Sequence, residues 1–195
     1  MSLSETTRRK RGHPSPMMFI SLGIGTVAAV ALIVVVSILT GAPAKTQNGE
    51  PVSALVGTTI KKFEIGGVNG TRVQMPWATG HPTVLVFFAR TCSICHTEMP
   101  KVAAYLRAHD VSPVKVVGDD NNETLTDARW FVRTYDITFP VAFDPADSII
   151  SGIFGFQGDP YTVFLNKHGV VEEVNAGAIS VKQLASGIAA LKSDA

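Results

Sequence analysis

Cysteine is scarce in this chain, and so is any excess of charge. Only two cysteines occur among 195 residues, at positions 92 and 95. A disulfide framework would show four or more, spread along the chain, so this pair is a local site. Lys and Arg number 17 against 16 Asp and Glu, a formal net charge of +1. Without a face-wide basic surplus there is no electrostatic footprint for nucleic acid. Internal repeats and low-complexity tracts are absent as well.

Apolar residues are plentiful: 46% of the chain is hydrophobic and only 17% charged. Much of that bias sits in one segment. From Met17 to Leu39 there is no charged residue, and Ala, Val, Ile and Leu dominate. At a rise of about 1.5 Å per residue, such a run crosses a hydrocarbon core of roughly 30 Å. Arg8, Arg9, Lys10 and Arg11 precede it, whereas only Lys45 follows closely. Basic flanks stay cytoplasmic, so the remainder of the chain is expected outside the cytoplasm. A cleaved signal peptide is the competing reading, because Ala42-Pro43-Ala44 loosely resembles a cleavage site. The long apolar run and the proline argue against it. The Arg8-Arg9 pair lacks a matching export consensus and reads as a topology determinant.

The expected layout is a cytoplasmic basic tail over 1–16, a transmembrane signal-anchor over 17–40, a linker over 41–51 and one extracytoplasmic domain over 52–195. Within the domain, Lys61–Ile65 and Thr71–Met75 read as strands around a Gly- and Asn-rich turn, an N-terminal hairpin. Thr83–Phe88 is a continuous apolar run, the mark of a strand buried on both faces. A helix is expected from Ser93 to His109, a short strand at Val114–Val117 and a helix at Thr126–Tyr135. Ser148–Phe154 reads as another short helix. Tyr161–Asn166 and Val170–Asn175 are strands joined by Lys167-His168-Gly169, before a closing helix Val181–Leu191 capped by Ser180. Alternating strands and helices followed by a hairpin predict an α/β fold with a central mixed sheet flanked by helices.

Cys92-Ser93-Ile94-Cys95 stands where the buried strand gives way to a helix. A cysteine in the first turn of a helix faces unpaired N–H groups and the positive end of the macrodipole. Its thiol pKa is expected to fall from about 8.5 toward or below neutral. Cys95, one turn on, can close a small disulfide and resolve a mixed one formed by Cys92. A structural disulfide gains little from so short a loop. A zinc site needs four ligands, and His96 and His109 are poorly placed to complete one. No metal and no cofactor is expected.

The run Phe87 to Pro100, with Cys-x-x-Cys-x-x-Glu-x-Pro inside it, resembles the active-site segment of thioredoxin-like proteins. More narrowly it is similar to the membrane-anchored TlpA/ResA-like thiol-disulfide oxidoreductases, related to the AhpC/TSA proteins. Gly158-Asp159-Pro160-Tyr161-Thr162-Val163-Phe164-Leu165 is similar to that family's cis-proline loop and following strand. Local sequence alone leaves Pro160 open between a cis-proline and an ordinary loop proline. The resemblance implies a cis bond, with Asp159 presenting its backbone to a substrate strand. It also implies an acid–base role for Glu98, whose pKa desolvation would raise. Pro100 is expected to kink the helix.

Several positions depart from the pattern. Thr91 stands where thioredoxins carry Trp, Val86 where cytosolic thioredoxin has a buried acid, and His96 follows the second cysteine. The expected function is reduction of disulfides in exported proteins, such as apocytochrome c, by a monomer fed by a transmembrane electron-transfer protein. The alternatives are an oxidase that introduces disulfides, a peroxidase, and a non-enzymatic binding module. The peroxidase pattern fails because Ala89 and Leu85 occupy its key positions. Trp77 and Phe156 are candidates for a substrate groove, with core packing as the plainer reading.

Overall fold

The computed structural model describes residues 52–193. The expected transmembrane segment lies outside that range. Among the described residues no helix is long and apolar enough to cross a membrane.

The apolar run becomes β3 (Thr83–Phe88), buried at every position. It lies in the middle of a five-stranded sheet ordered β5-β4-β3-β6-β7. The other strands are β4 (Lys115–Asn121), β5 (Val141–Asp144), β6 (Tyr161–Leu165) and β7 (Val171–Ala176). Strand β3 runs parallel to β4 and antiparallel to β6. Side chains alternate along a strand, so β3 feeds two cores. Val84, Val86 and Phe88 join Met99, Phe131 and Leu184 on one face. Leu85 and Phe87 join Trp77, Phe154 and Phe156 on the other. A run apolar at every position is what two covered faces require.

Three helices close the first face: α1 (Cys95–Ala108), α2 (Leu125–Thr134) and α3 (Val181–Ser193). Helix α1 continues through Pro100. Thr124 caps α2 by accepting from the Asp127 N–H at 3.2 Å. At α3, Ser180 Oγ accepts the Gln183 N–H at 3.2 Å, and Gln183 Oε1 accepts the Ser180 N–H at 3.0 Å. That reciprocal pair is a capping box. The hairpin of β1 (Glu64–Gly66) and β2 (Arg72–Gln74) lies against β5. Val68 N–H donates to the Val141 carbonyl at 3.0 Å, so the hairpin covers the outer edge of the sheet.

Three sequence expectations change. Strand β4 runs four residues past Val117, taking in Gly118, Asp119, Asp120 and Asn121. Strand β5 has no counterpart in the sequence reading; four residues after a proline carry too little periodicity. Ser148–Phe154 forms successive turns, because Gly152 and Phe154 donate to carbonyls five residues back, at 3.1 Å each. Gly152, Gly155 and a positive φ of 53° at Asp147 disfavour a regular helix there. Trp77 and Phe156, 1% and 0% exposed, belong to the core and line no groove.

Helix α3 crosses β6 at Gly187, where a Cβ would overlap the Phe164 ring. Gly187→Ala is therefore expected to lower stability by about 1–3 kcal/mol, as overpacking does. A drop in the urea midpoint at unchanged slope will report it.

Candidate active site

Cys92 leaves β3 on a short loop that the fold pins from the side. Both Glu123 carboxylate oxygens accept the Arg90 backbone N–H, at 2.9 Å. The Arg90 guanidinium pairs with Asp127 and lies 4.2 Å above the Trp130 ring. His96 ties the next turn down: its Nε2 donates to the Arg90 carbonyl at 2.6 Å, and its Nδ1 meets the Tyr135 hydroxyl. His96 is thus a brace between the motif and α2.

Cys92 and Cys95 form a disulfide with their Cα atoms 5.3 Å apart. The two sulfurs are not equivalent. Cys95 is fully buried, whereas Cys92 is half-buried. Helix α1 begins only at Cys95, so Cys92 precedes the helix and is not in its first turn. Ile94, the capping residue, offers no side-chain acceptor. The Cys92 Sγ takes that place, accepting the Cys95 N–H at 3.1 Å.

Glu98 lies one turn beyond Cys95 and is 3% exposed. Its Oε1 accepts the Ile179 N–H at 3.0 Å, and its Oε2 has no partner. Burial raises its pKa from 4.5 to about 7, the Ile179 bond lowers it and the nearby Asp159 charge raises it. The Asp159–Pro160 bond is cis. Asp159 and Cys92 line a single cavity of about 250 Å³, together with Asn121, Asp147 and Gly158. The fold thereby brings the five residues singled out in the sequence (Cys92, Cys95, Glu98, Asp159 and Pro160) into one neighbourhood.

It also brings a group of acids that the sequence reading passed over. Asp119 and Asp120 are fully buried on the extension of β4, and among the described residues the Asp119 carboxylate has no hydrogen-bond partner. Burial holds both far above the usual carboxylate range, reinforced by Asp144 for Asp119 and by Glu123 for Asp120. Burial also lifts Asp159 to about 6, although Asn121 Nδ2 donates to its Oδ1 at 3.1 Å. Asp147 is raised by burial and by Asp144. Among the described residues no Lys, Arg or His lines the cavity at Cys92. The available sequence signal was the acid pair Asp119-Asp120, one glycine beyond the Val-rich stretch Val114–Val117.

A mixed five-stranded sheet carrying a half-buried sulfur paired with a buried one at the start of a helix, with a cis Asp159–Pro160 bond at the same cavity, defines a thioredoxin-like thiol-disulfide oxidoreductase. The chain belongs to the AhpC/TSA family, whose profile matches residues 56–174. It is 22% identical over 142 residues to the thiol-disulfide oxidoreductase ResA of Halalkalibacterium halodurans, covering 73% of this chain and 80% of that protein. To the thioredoxin-like protein YneN of Bacillus subtilis it is 25% identical, covering 72% and 82%. Among solved structures it is similar to a secreted Mycobacterium tuberculosis disulfide oxidoreductase homologous to Escherichia coli DsbE. There the identity is 25% and the TM-score 0.57, over 66% of this chain and 96% of that one.

Glu98 gives a pH test. The folded chain keeps the Glu98 proton up to about pH 7, while the unfolded chain releases it near 4.5. Between those values the native state binds more protons, so this group's contribution to stability falls as pH rises. Glu98→Gln, which retains an acceptor for Ile179, is expected to flatten that part of the decline. Urea unfolding of the oxidised wild-type and variant chains between the two pH values will show it.

Proposed function

We propose that this chain reduces disulfides in exported proteins, with Cys92 as the attacking sulfur and Cys95 as the resolving one. The reduced Cys92 thiolate attacks a substrate disulfide and releases one substrate thiol. The Cys95 thiolate then attacks Cys92 in the mixed disulfide, freeing the second substrate thiol and closing the Cys92–Cys95 bond. Glu98, buried beside Cys95 with a pKa near neutrality, takes the Cys95 proton in the resolving step. The backbone before Pro160 presents an edge to the substrate strand, beside the same cavity as Cys92. A membrane electron-transfer protein returns two electrons to the disulfide, and the N-terminal apolar run holds the domain, as a monomer, outside the cytoplasm. Apocytochrome c before haem attachment is a substrate of the required kind.

The observation that carries the direction is the charge around Cys92. A strong oxidant is one whose reduced form is stabilised, and a nearby cation or several N–H groups do that for a thiolate. Here one N–H reaches the Cys92 sulfur, at 3.1 Å. Asp147 and Asp159 share its cavity, and Arg90 is engaged by Asp127 and Trp130. Anions beside a thiolate disfavour it, which favours the disulfide and makes the dithiol a good electron donor.

The test is the reduction potential of the Cys92–Cys95 pair, equilibrated against glutathione or dithiothreitol buffers. A value near the thioredoxin end, about −270 mV, is expected, whereas a value near about −120 mV would make disulfide introduction the function. Asp159→Asn is expected to raise the potential at neutral pH. That difference from wild type should shrink as pH falls below the Asp159 pKa of about 6, where the native side chain is itself neutral.

A further inference from the structure

At the opposite end of the sheet from Cys92 lies an open groove of about 980 Å³. It is bounded by the β1–β2 hairpin, the C-terminal halves of α1 and α2, and the segment leading into β5. Its apolar lining includes Val68, Leu106, Val132, Ile137 and Phe139. Arg72, Lys115, Arg129 and Arg133 line it as well, and among the described residues no Asp or Glu does. In a chain with 17 basic and 16 acidic residues, that is a strong segregation of charge. It is also the reverse of the redox cavity, whose charged lining residues are Asp147 and Asp159.

The placement of the cations narrows the occupant. Arg129 and Arg133 stand four residues apart, so they share one face of α2. The Arg129 Nε donates to the Val68 carbonyl at 2.9 Å, reaching from α2 to the hairpin. Arg72 lies on β2, where it pairs with Glu64, and Lys115 heads β4. Among the described residues neither Arg133 nor Lys115 has an ion-pair partner. Positive charge therefore enters from three elements. A ligand with one anionic head would answer one of them and leave the others. An apolar lining beneath dispersed cations calls for carboxylates spaced along a chain with apolar side chains between them. The chain's own N-terminal residues cannot serve, because Arg8 to Arg11 carry the wrong sign and Met17–Leu39 carries no charge.

We propose that this groove docks an acidic amphipathic segment of a partner protein. Such docking would hold a partner at one end of the domain while leaving Cys92 open at the other. It does not depend on the direction of the redox reaction.

The test uses the full chain in phosphatidylcholine nanodiscs and a short fluorescent peptide in which Glu alternates with Leu. Saturable binding that weakens with salt is expected. Reversing two charges, with Arg133→Glu and Lys115→Glu together, should weaken it by about tenfold or more. The rate of thiol-disulfide exchange at Cys92 and the melting temperature should be unchanged, which separates lost docking from lost fold. Equal binding of the matching Lys/Leu peptide, indifference to the double reversal, or no saturable binding would overturn the proposal. So would binding of the chain to phosphatidylglycerol vesicles through the same two residues with no binding of the peptide, since the groove would then be a lipid site.

Discussion

Carboxylates around a redox sulfur set the terms for the rest of this molecule. Cys92 opens into a cavity shared with Asp147 and Asp159, and among the described residues no basic side chain lines it. Asp119 and Asp120 are wholly buried on β4, and among the described residues no cation pairs with either. Burying an ionised, unpaired carboxylate costs so much that the group keeps its proton. The two deeper acids are thus held neutral, and negative charge is left to those nearer the opening. The basic group closest in sequence, Arg90, is spent on Asp127 and Trp130. This arrangement orients the loop while keeping its charge off the sulfur. Among the described residues the hydrogen bond to the Cys92 sulfur comes from the Cys95 N–H.

The skeleton that carries the site was largely legible in the sequence. An unbroken apolar stretch such as Thr83–Phe88 has few alternatives to a doubly covered strand, and β3 is that strand. The pair at 92 and 95 stood at its end, and Ser180 announced α3. Features that depend on contacts between distant residues were not legible. Asp119 and Asp120 look like the polar end of a strand, yet the sheet carries on through them because β5 pairs alongside, Asp119 opposite Ala142. Periodicity cannot register a strand whose polar residues are buried. The start of α1 was misplaced for a related reason. Ile94 already has helical φ and ψ but serves as the cap, and the first residue of the helix is Cys95, after a loop that Glu123 and His96 hold at Arg90. Cys92 therefore stands just before the helix, with its sulfur on the Cys95 N–H.

The fold also keeps two kinds of chemistry apart. Parallel pairing of β3 and β4 sends both C-terminal ends toward the redox cavity, and Lys115, opposite Thr83, marks the far end. An acidic cavity holds the disulfide at one end, and a basic, apolar groove lies at the other. Glu98 connects the cavity to the helical face: its carboxyl binds the Ile179 N–H just before α3 and feels the charge of Asp159. A proton held there near neutral pH fits the acid–base role proposed for Glu98.

The most direct test is the pKa of the Cys92 thiol in the reduced chain, taken from the pH dependence of its alkylation by iodoacetamide. If the acids dominate its surroundings, the thiol titrates at about 7 or higher, as in a thioredoxin-like reductant. A value near about 3.5, as in the strongest oxidant of this fold, would mean that backbone N–H groups outweigh the carboxylates, and would contradict the account.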